Sequence, residues 1–298
     1  MPLKSYVLGC NGYFGRHLAH ELERTGFENH NFDIHPEPSS GISNYRPFDV
    51  TRKEHYGELD PEVDFIFLFA GRTGTDQGFK DYEGFVDVNE IGPLHVLEWM
   101  HQTDCRARIV FPSSRLVYKG NESRPLREGD PKEARTVYAI NKLATERILW
   151  AYQNAFGINY TVFRICVPYG DALGAASSYG TLDMFQGMAA AGQDISLFGD
   201  GGYKRTFTHV SDLATLIVRT VQSEQTGNDI FNVGGEALSL RAAAEQIAQK
   251  YSVGVRFVDW PEMALRLETG STVFDDSKLA RIVPCEFQRS LASWLKEI

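Results

Sequence analysis

Gly9-Cys10-Asn11-Gly12-Tyr13-Phe14-Gly15 places three glycines in the spacing G-x-x-G-x-x-G. The stretch follows directly on Ser5-Tyr6-Val7-Leu8 and opens the segment Tyr13 to Arg24, where Phe14, Leu18 and Leu22 recur at i, i+4 and i+8. The first run reads as a strand and the second as an amphipathic helix, so the glycines lie at a strand-to-helix turn. Glycines at such a turn let the backbone bend tightly and approach a pyrophosphate, whose charge is met by the free N–H groups and dipole of the helix start. The spacing departs from G-x-G-x-x-G, and three glycines alone also suit an ordinary turn. Their position between strand and helix is what carries the reading.

The same alternation continues outward from the turn. Phe65 to Phe69 is apolar without a break, as expected of a strand buried on both faces of a parallel sheet. Val88, Ile91, Val96 and Trp99 mark a helix, Arg108 to Phe111 a strand, Pro131 to Phe156 a long helix and Ile158 to Ile165 another strand. This β-α-β rhythm predicts an α/β fold, a Rossmann-type doubly wound parallel sheet. Beyond Pro168 the rhythm is interrupted. Helices over Asp212–Val221, Leu240–Tyr251 and Arg289–Ile298, with strands over Ile230–Val233 and Val255–Val258, are expected there. The division that follows is a nucleotide-binding domain over 1–167 plus about 206–235. A smaller α/β substrate domain would comprise 168–205 and 236–298.

Composition narrows the class. The 298 residues are enough for a core that needs neither metal nor disulfide. Cys10, Cys105, Cys166 and Cys285 form no C-x-x-C pair, which argues against a zinc ribbon and a stapled secreted fold. With 39 acidic against 30 basic side chains the net charge is −9, a poor match to a nucleic-acid partner. The longest apolar stretch, Phe65 to Ala70, is far short of a membrane span, and the start carries no signal-peptide core. A cytoplasmic, soluble protein with no membrane partner and no metal is expected.

Asp33 falls 18 residues after Gly15. A carboxylate at about that distance commonly accepts hydrogen bonds from an adenosine ribose and repels a 2′-phosphate, so NAD is expected rather than NADP, although a surface Asp in a loop reads the same way. Tyr138 is followed by Lys142 at i+4, on one helix face, where an ammonium favours the phenolate. Free tyrosine titrates near 10 and must come down to act as a base at neutral pH. Ser113 and Ser114 follow the strand ending at Phe111, where open α/β sheets place their ligands. Taken singly, the pair also fits a solvated surface, and the serines fit local caps.

Together these parts resemble the extended short-chain dehydrogenase/reductase superfamily, in its NAD-dependent nucleotide-sugar epimerase, dehydratase and reductase branch. They occur in order: the glycine loop with Gly9, Gly12 and Gly15; Asp33; Asp49-Val50; Phe69-Ala70-Gly71; Asn89; Ser113-Ser114 with Val117-Tyr118; and Tyr138 with Lys142. Arg164 to Gly170 resembles R-x-x-N-V-Y-G, Phe198 to Gly201 resembles a loop that packs on the nucleotide base, and Arg205 to Asp212 resembles R-x-F-x-H-V-x-D. Phe231 to Gly235 closes the set.

The resemblance implies that Tyr138 is the general base, that Lys142 lowers its pKa and holds the nicotinamide ribose, and that Ser114 is the active-site hydroxyl. It implies cofactor contacts from Gly9, Asn11, Gly12, Tyr13, Phe14, Gly15, Asp33, Asp49, Val50, Phe69, Ala70, Gly71 and Asn89, besides Tyr138 and Lys142. For the substrate, a nucleotide-diphosphate sugar, the candidates are Thr73, Ser113, Ser114, Arg115 and Phe198, with Arg205 and Arg266 at the diphosphate. His209 is read as structural. A homodimer is implied through a four-helix interface built from 85–100 and 131–156 of each chain.

Departures from the pattern sharpen the expectation. Arg115 and Leu116 stand where the family's 4,6-dehydratases carry Asp and Glu, so dehydration is not expected. Val167 replaces the usual Asn, and Thr269 stands where an acidic residue often follows the late arginine. The expected activity is oxidation at C4 of the sugar, giving 4-epimerisation in carbohydrate biosynthesis. The alternatives are a reductase of a nucleotide 4-keto-6-deoxy sugar and a non-catalytic NAD-binding scaffold.

Overall fold

A computed structural model of the chain describes residues 2–171, 173 and 180–298. Its largest sheet has seven strands in the order β10-β6-β5-β4-β1-β2-β3: β1 (Lys4–Leu8), β2 (Glu28–Asp33), β3 (Tyr45–Pro47), β4 (Phe65–Leu68), β5 (Arg108–Ser114), β6 (Tyr160–Ile165) and β10 (Asp229–Asn232). Every pairing within it is parallel. Strand order reverses between β1 and β4, which is where a crevice opens at the carboxyl ends of a doubly wound sheet.

Burial on both faces accounts for the unbroken apolar strands. Leu8, Ile66, Leu68, Ile109 and Val162 pack under α4 (Gly92–Gln102) and α5 (Val137–Phe156), beside Val96, Leu97 and Leu149. The alternate residues Val7, Phe67, Val110 and Phe163 pack under α1 (Tyr13–Arg24) and α7 (Val210–Val221), beside Leu18, Leu22, Leu213 and Ile217. β2 reads poorly in sequence because Asn29 and Asn31 occupy its centre. Both are buried, and the Asn29 amide donates to Asn31 Oδ1 at 2.9 Å.

Two smaller sheets carry the rest. β9 (Lys204–His209) lies between β7 (Val167–Tyr169) and β11 (Glu236–Ser239), and β8 (Ile195–Phe198) pairs with β12 (Val255–Val258). α6 (Thr181–Ala190), α8 (Leu240–Tyr251) and α11 (Leu291–Glu297) cover them, around Leu182, Phe185, Phe207, Ala244, Ile247 and Trp294. The expected boundary near 206 falls inside β9, after which α7 and β10 return to the large sheet.

Two expected helices are corrected. The long helix begins at Val137 rather than Pro131, because Thr136 caps it, its hydroxyl accepting the Ala139 amide at 3.1 Å, while Lys132 bridges to Tyr118. The helix expected around Val88 to Trp99 is α4 preceded by a π-helical turn at Asp87–Ile91, which follows α3 (Tyr82–Val86); α2 (Gln77–Lys80) lies just upstream. The short α9 (Glu262–Leu267) and α10 (Ser277–Ala280) complete the described elements. Among the described residues no helix is long and apolar enough to cross a membrane.

Candidate active site

The crevice at the strand reversal has two connected recesses. One, of about 430 Å³, is lined by Asn11, Asp33, Asp49, Val50, Ala70 and their neighbours. The other, of about 580 Å³, is lined by Tyr13, Phe14, Gly15, Thr73, Ser113, Ser114, Arg115, Tyr138 and Lys142 among others. Gly9, Gly12, Phe69 and Gly71 line both.

The glycine turn is fixed by close approaches. Gly9 has φ +94°, and a Cβ there would stand 2.4 Å from the Ala70 amide nitrogen, so the loops after β1 and β4 touch. A Cβ on Gly15 would stand 2.0 Å from the Gly9 carbonyl oxygen. The N-terminus of α1 therefore packs directly against the β1 turn and opens on the crevice, the cradle a dinucleotide pyrophosphate requires. At the first recess Asp33 accepts the Asn11 amide at 3.0 Å and the His35 amide at 3.3 Å, joining the end of β2 to the turn. Arg72, on the same recess, is paired with Asp81 at 2.5 Å.

In the second recess, β5 delivers two serines with different employment. Ser113 donates to Glu146 at 2.6 Å, and Glu146 is bound by Arg164 through two contacts of 2.8 and 2.5 Å. Ser114 Oγ accepts the Leu116 amide at 3.2 Å, which uses a lone pair and not the hydroxyl proton. Tyr138 is the second residue of α5, and Lys142 lies one turn on, its Nζ 5.8 Å from the Tyr138 ring centre and 4.4 Å from that of Phe111. Burial pushes the Lys142 ammonium down to about 7, against the pull of Glu146. Gly71 lies over this amine: a Cβ there would stand 3.8 Å from Lys142 Nζ. Asn89, in the π turn, holds that loop by accepting from the Arg72 amide at 2.8 Å and donating to the Arg72 carbonyl at 3.0 Å. It supports the recess without lining it.

Three expected substrate residues lie elsewhere. Arg205 is 1% exposed and its guanidinium is taken up by Glu268 at 2.8 Å and the carbonyls of Gly270 and Lys204. Arg266 is exposed on α9 and pairs with Glu262. Phe198 packs against Trp260 with ring centres 5.2 Å apart, away from the cavity walls. His209 is buried, its Nδ1 accepting the Ser211 amide at 3.3 Å. Arg115 and Leu116 do line the second recess, as do Cys166, Thr181 and Met184, which the sequence did not single out. These last three arrive through tertiary packing, from the kink between β6 and β7 and from the first turn of α6. The segment between Pro168 and Lys204, where the expected strand–helix rhythm is interrupted, lies in part outside the described residues.

The chain has counterparts among known proteins. The model of the NAD dependent epimerase/dehydratase family matches residues 5–234. A UDP-N-acetyl-alpha-D-glucosaminuronate decarboxylase of Bacillus cytotoxicus is 26% identical over 266 residues, which is 84% of this chain and 80% of the relative. A UDP-glucose 4-epimerase of Thermotoga maritima, solved with UDP-glucose, superposes with a TM-score of 0.86 at 20% identity, covering 99% of this chain and 96% of its own. A dTDP-glucose 4,6-dehydratase of Streptomyces venezuelae, solved with NAD bound, gives 0.85 at 20% identity and the same coverage.

Proposed function

Because the chain belongs to the NAD-dependent epimerase/dehydratase family, we propose that it is an NAD-dependent oxidoreductase of 4-epimerase type, acting at C4 of a nucleotide-diphosphate sugar. The observation that carries this reading is the convergence of Ser114, Tyr138 and Lys142 on one recess that continues into the glycine turn. A nicotinamide bound there supplies reversible hydride acceptance. Tyr138 takes the proton of the C4 hydroxyl, and Ser114 donates to the oxygen that is losing it. Lys142 favours the phenolate form of Tyr138, and that phenolate in turn keeps the ammonium charged against the cost of burial.

Asp33 at the rim of the first recess supports NAD over NADP, since a carboxylate there repels a 2′-phosphate. Arg115 and Leu116 at the recess wall carry no carboxyl group to protonate or deprotonate C5 and C6, which favours epimerisation over 4,6-dehydration. Exposed Ile91, Ile140 and Trp150, on adjoining helices, support pairing with a second copy of the chain. The test is incubation with UDP-, dTDP-, GDP- and CDP-sugars without added NADH. The expected product is a stereoisomer; no conversion there, with strict consumption of NADH when NADH and a nucleotide 4-keto-6-deoxy sugar are supplied, would instead establish the reductase.

A further inference from the structure

Arg115 opens a single 3-10 turn, Arg115–Val117, immediately after Ser114, so its Cα stands about 3.8 Å from that of the active-site serine. Its Nη1 is buried and meets no hydrogen-bond partner among the described residues. A buried donor left unpaired costs more than a hydrogen bond returns, and the cost is greater for a charged group, so a guanidinium held this way implies an acceptor brought by a ligand.

The nearby protein groups do not supply one. Glu268 is the acid that acts on Arg115, but its Oε1 already takes Arg205 at 2.8 Å and the amides of Thr269 and Gly270 at 2.9 Å each. Burial and the like charge of Arg205 together pull the Arg115 guanidinium down to about 10. Of the described residues lining the recess, Asp76 alone is acidic, and it is paired with Lys80 at 3.0 Å. Arg115, half-buried with its Nη1 enclosed, thus faces a recess in which the described residues leave it no free anion. Arg115 directly follows Ser114 and lines the same recess as Tyr138, which places it at the reacting end.

We propose that Arg115 binds a carboxylate on the sugar ring, making the substrate a nucleotide-activated uronic acid. This rests on the C4 reading above: the exocyclic carbon on the ring atom next to C4 is the one within reach of a residue adjacent to Ser114. A guanidinium meets a carboxylate through two parallel hydrogen bonds, which a neutral hydroxymethyl group cannot return.

The test is calorimetric binding to the NAD-loaded enzyme, comparing uronate and neutral sugar on each of UDP, dTDP, GDP and CDP, with the bare nucleoside diphosphates alongside. The wild type is expected to bind the uronate about tenfold or more tightly than the neutral sugar. Arg115→Gln should abolish that preference while leaving the nucleoside diphosphate and neutral sugar within about twofold, and Arg115→Lys should restore part of it. Equal loss for the nucleoside diphosphate would show that Arg115 meets the diphosphate instead, and equal wild-type affinity for uronate and neutral sugar would overturn the proposal without recourse to a variant. Failure of every sugar nucleotide to bind would overturn the C4 reading itself.

Discussion

At Lys142 the cost of burial sets the protonation state before any ligand arrives. Lys142 is 5% exposed, and the groups facing its amine are Glu146, already engaged by Arg164 and Ser113, and the Tyr138 phenol. Burial depresses its pKa to about 7 in the folded chain, against about 10.4 when unfolded. Between those values the unfolded chain holds the proton that the folded chain has released, so stability rises with pH across roughly 7 to 10. Below that window both states are protonated and the penalty is full; above it neither is and the penalty is gone. The gain across the window is on the order of 4 kcal/mol. Denaturant unfolding of the ligand-free enzyme at pH 7 and 9.5, wild type against Lys142→Met, should show the increment in the wild type only. Parallel profiles would refute it.

Among the elements, the β1–α1 turn depends most on residue size. Gly15→Ala places a methyl 2.0 Å from the Gly9 carbonyl and must push α1 away from β1, which moves the helix N–H groups off the pyrophosphate position. Its NAD affinity should fall more than about tenfold. Gly57→Ala, whose methyl meets open space, should leave that affinity unchanged, and calorimetry on the two variants decides the matter. This turn was legible in sequence because everything that defines it is local: the helix expected over Tyr13 to Arg24 is the helix observed. Tyr138 and Lys142 were legible for the same reason, being one helical turn apart. Arg205 was not. Its guanidinium is claimed by Glu268, 63 residues later, and by the Gly270 carbonyl, once Arg205 bridges to Thr272 beside β9, and no local spacing announces such a partner. The start of α5 was misplaced likewise, since a distant bridge to Tyr118 holds Lys132 outside the helix.

On the scale of the whole molecule, the helix that carries Tyr138 and Lys142 into the crevice also has an outward side. Ile140, Arg147 and Trp150 fall within one quadrant of α5 at 3.6 residues per turn, and Ile140 and Trp150 are 53% and 55% exposed. The π turn before α4 adds exposed Ile91 and lies against α5, where Thr145 donates to the Asn89 carbonyl at 2.7 Å and Asn141 donates to Glu90. Two such pairs of helices from two chains would cover the apolar residues, and an interface of standard size, about 1,600 Å² in total, requires roughly that much surface. Sedimentation velocity should therefore give a particle of twice the 33.5 kDa chain mass. The double variant Ile140→Glu, Trp150→Glu should sediment as a folded monomer, because two carboxylates per chain would be buried unpaired in the paired state. Both side chains are exposed in the single chain, so the substitutions leave its core intact. A wild type that sediments at the mass of one chain, or a double variant that stays paired, would place the interface elsewhere or remove it, and the outer side of α5 would then be open to solvent behind the active-site residues.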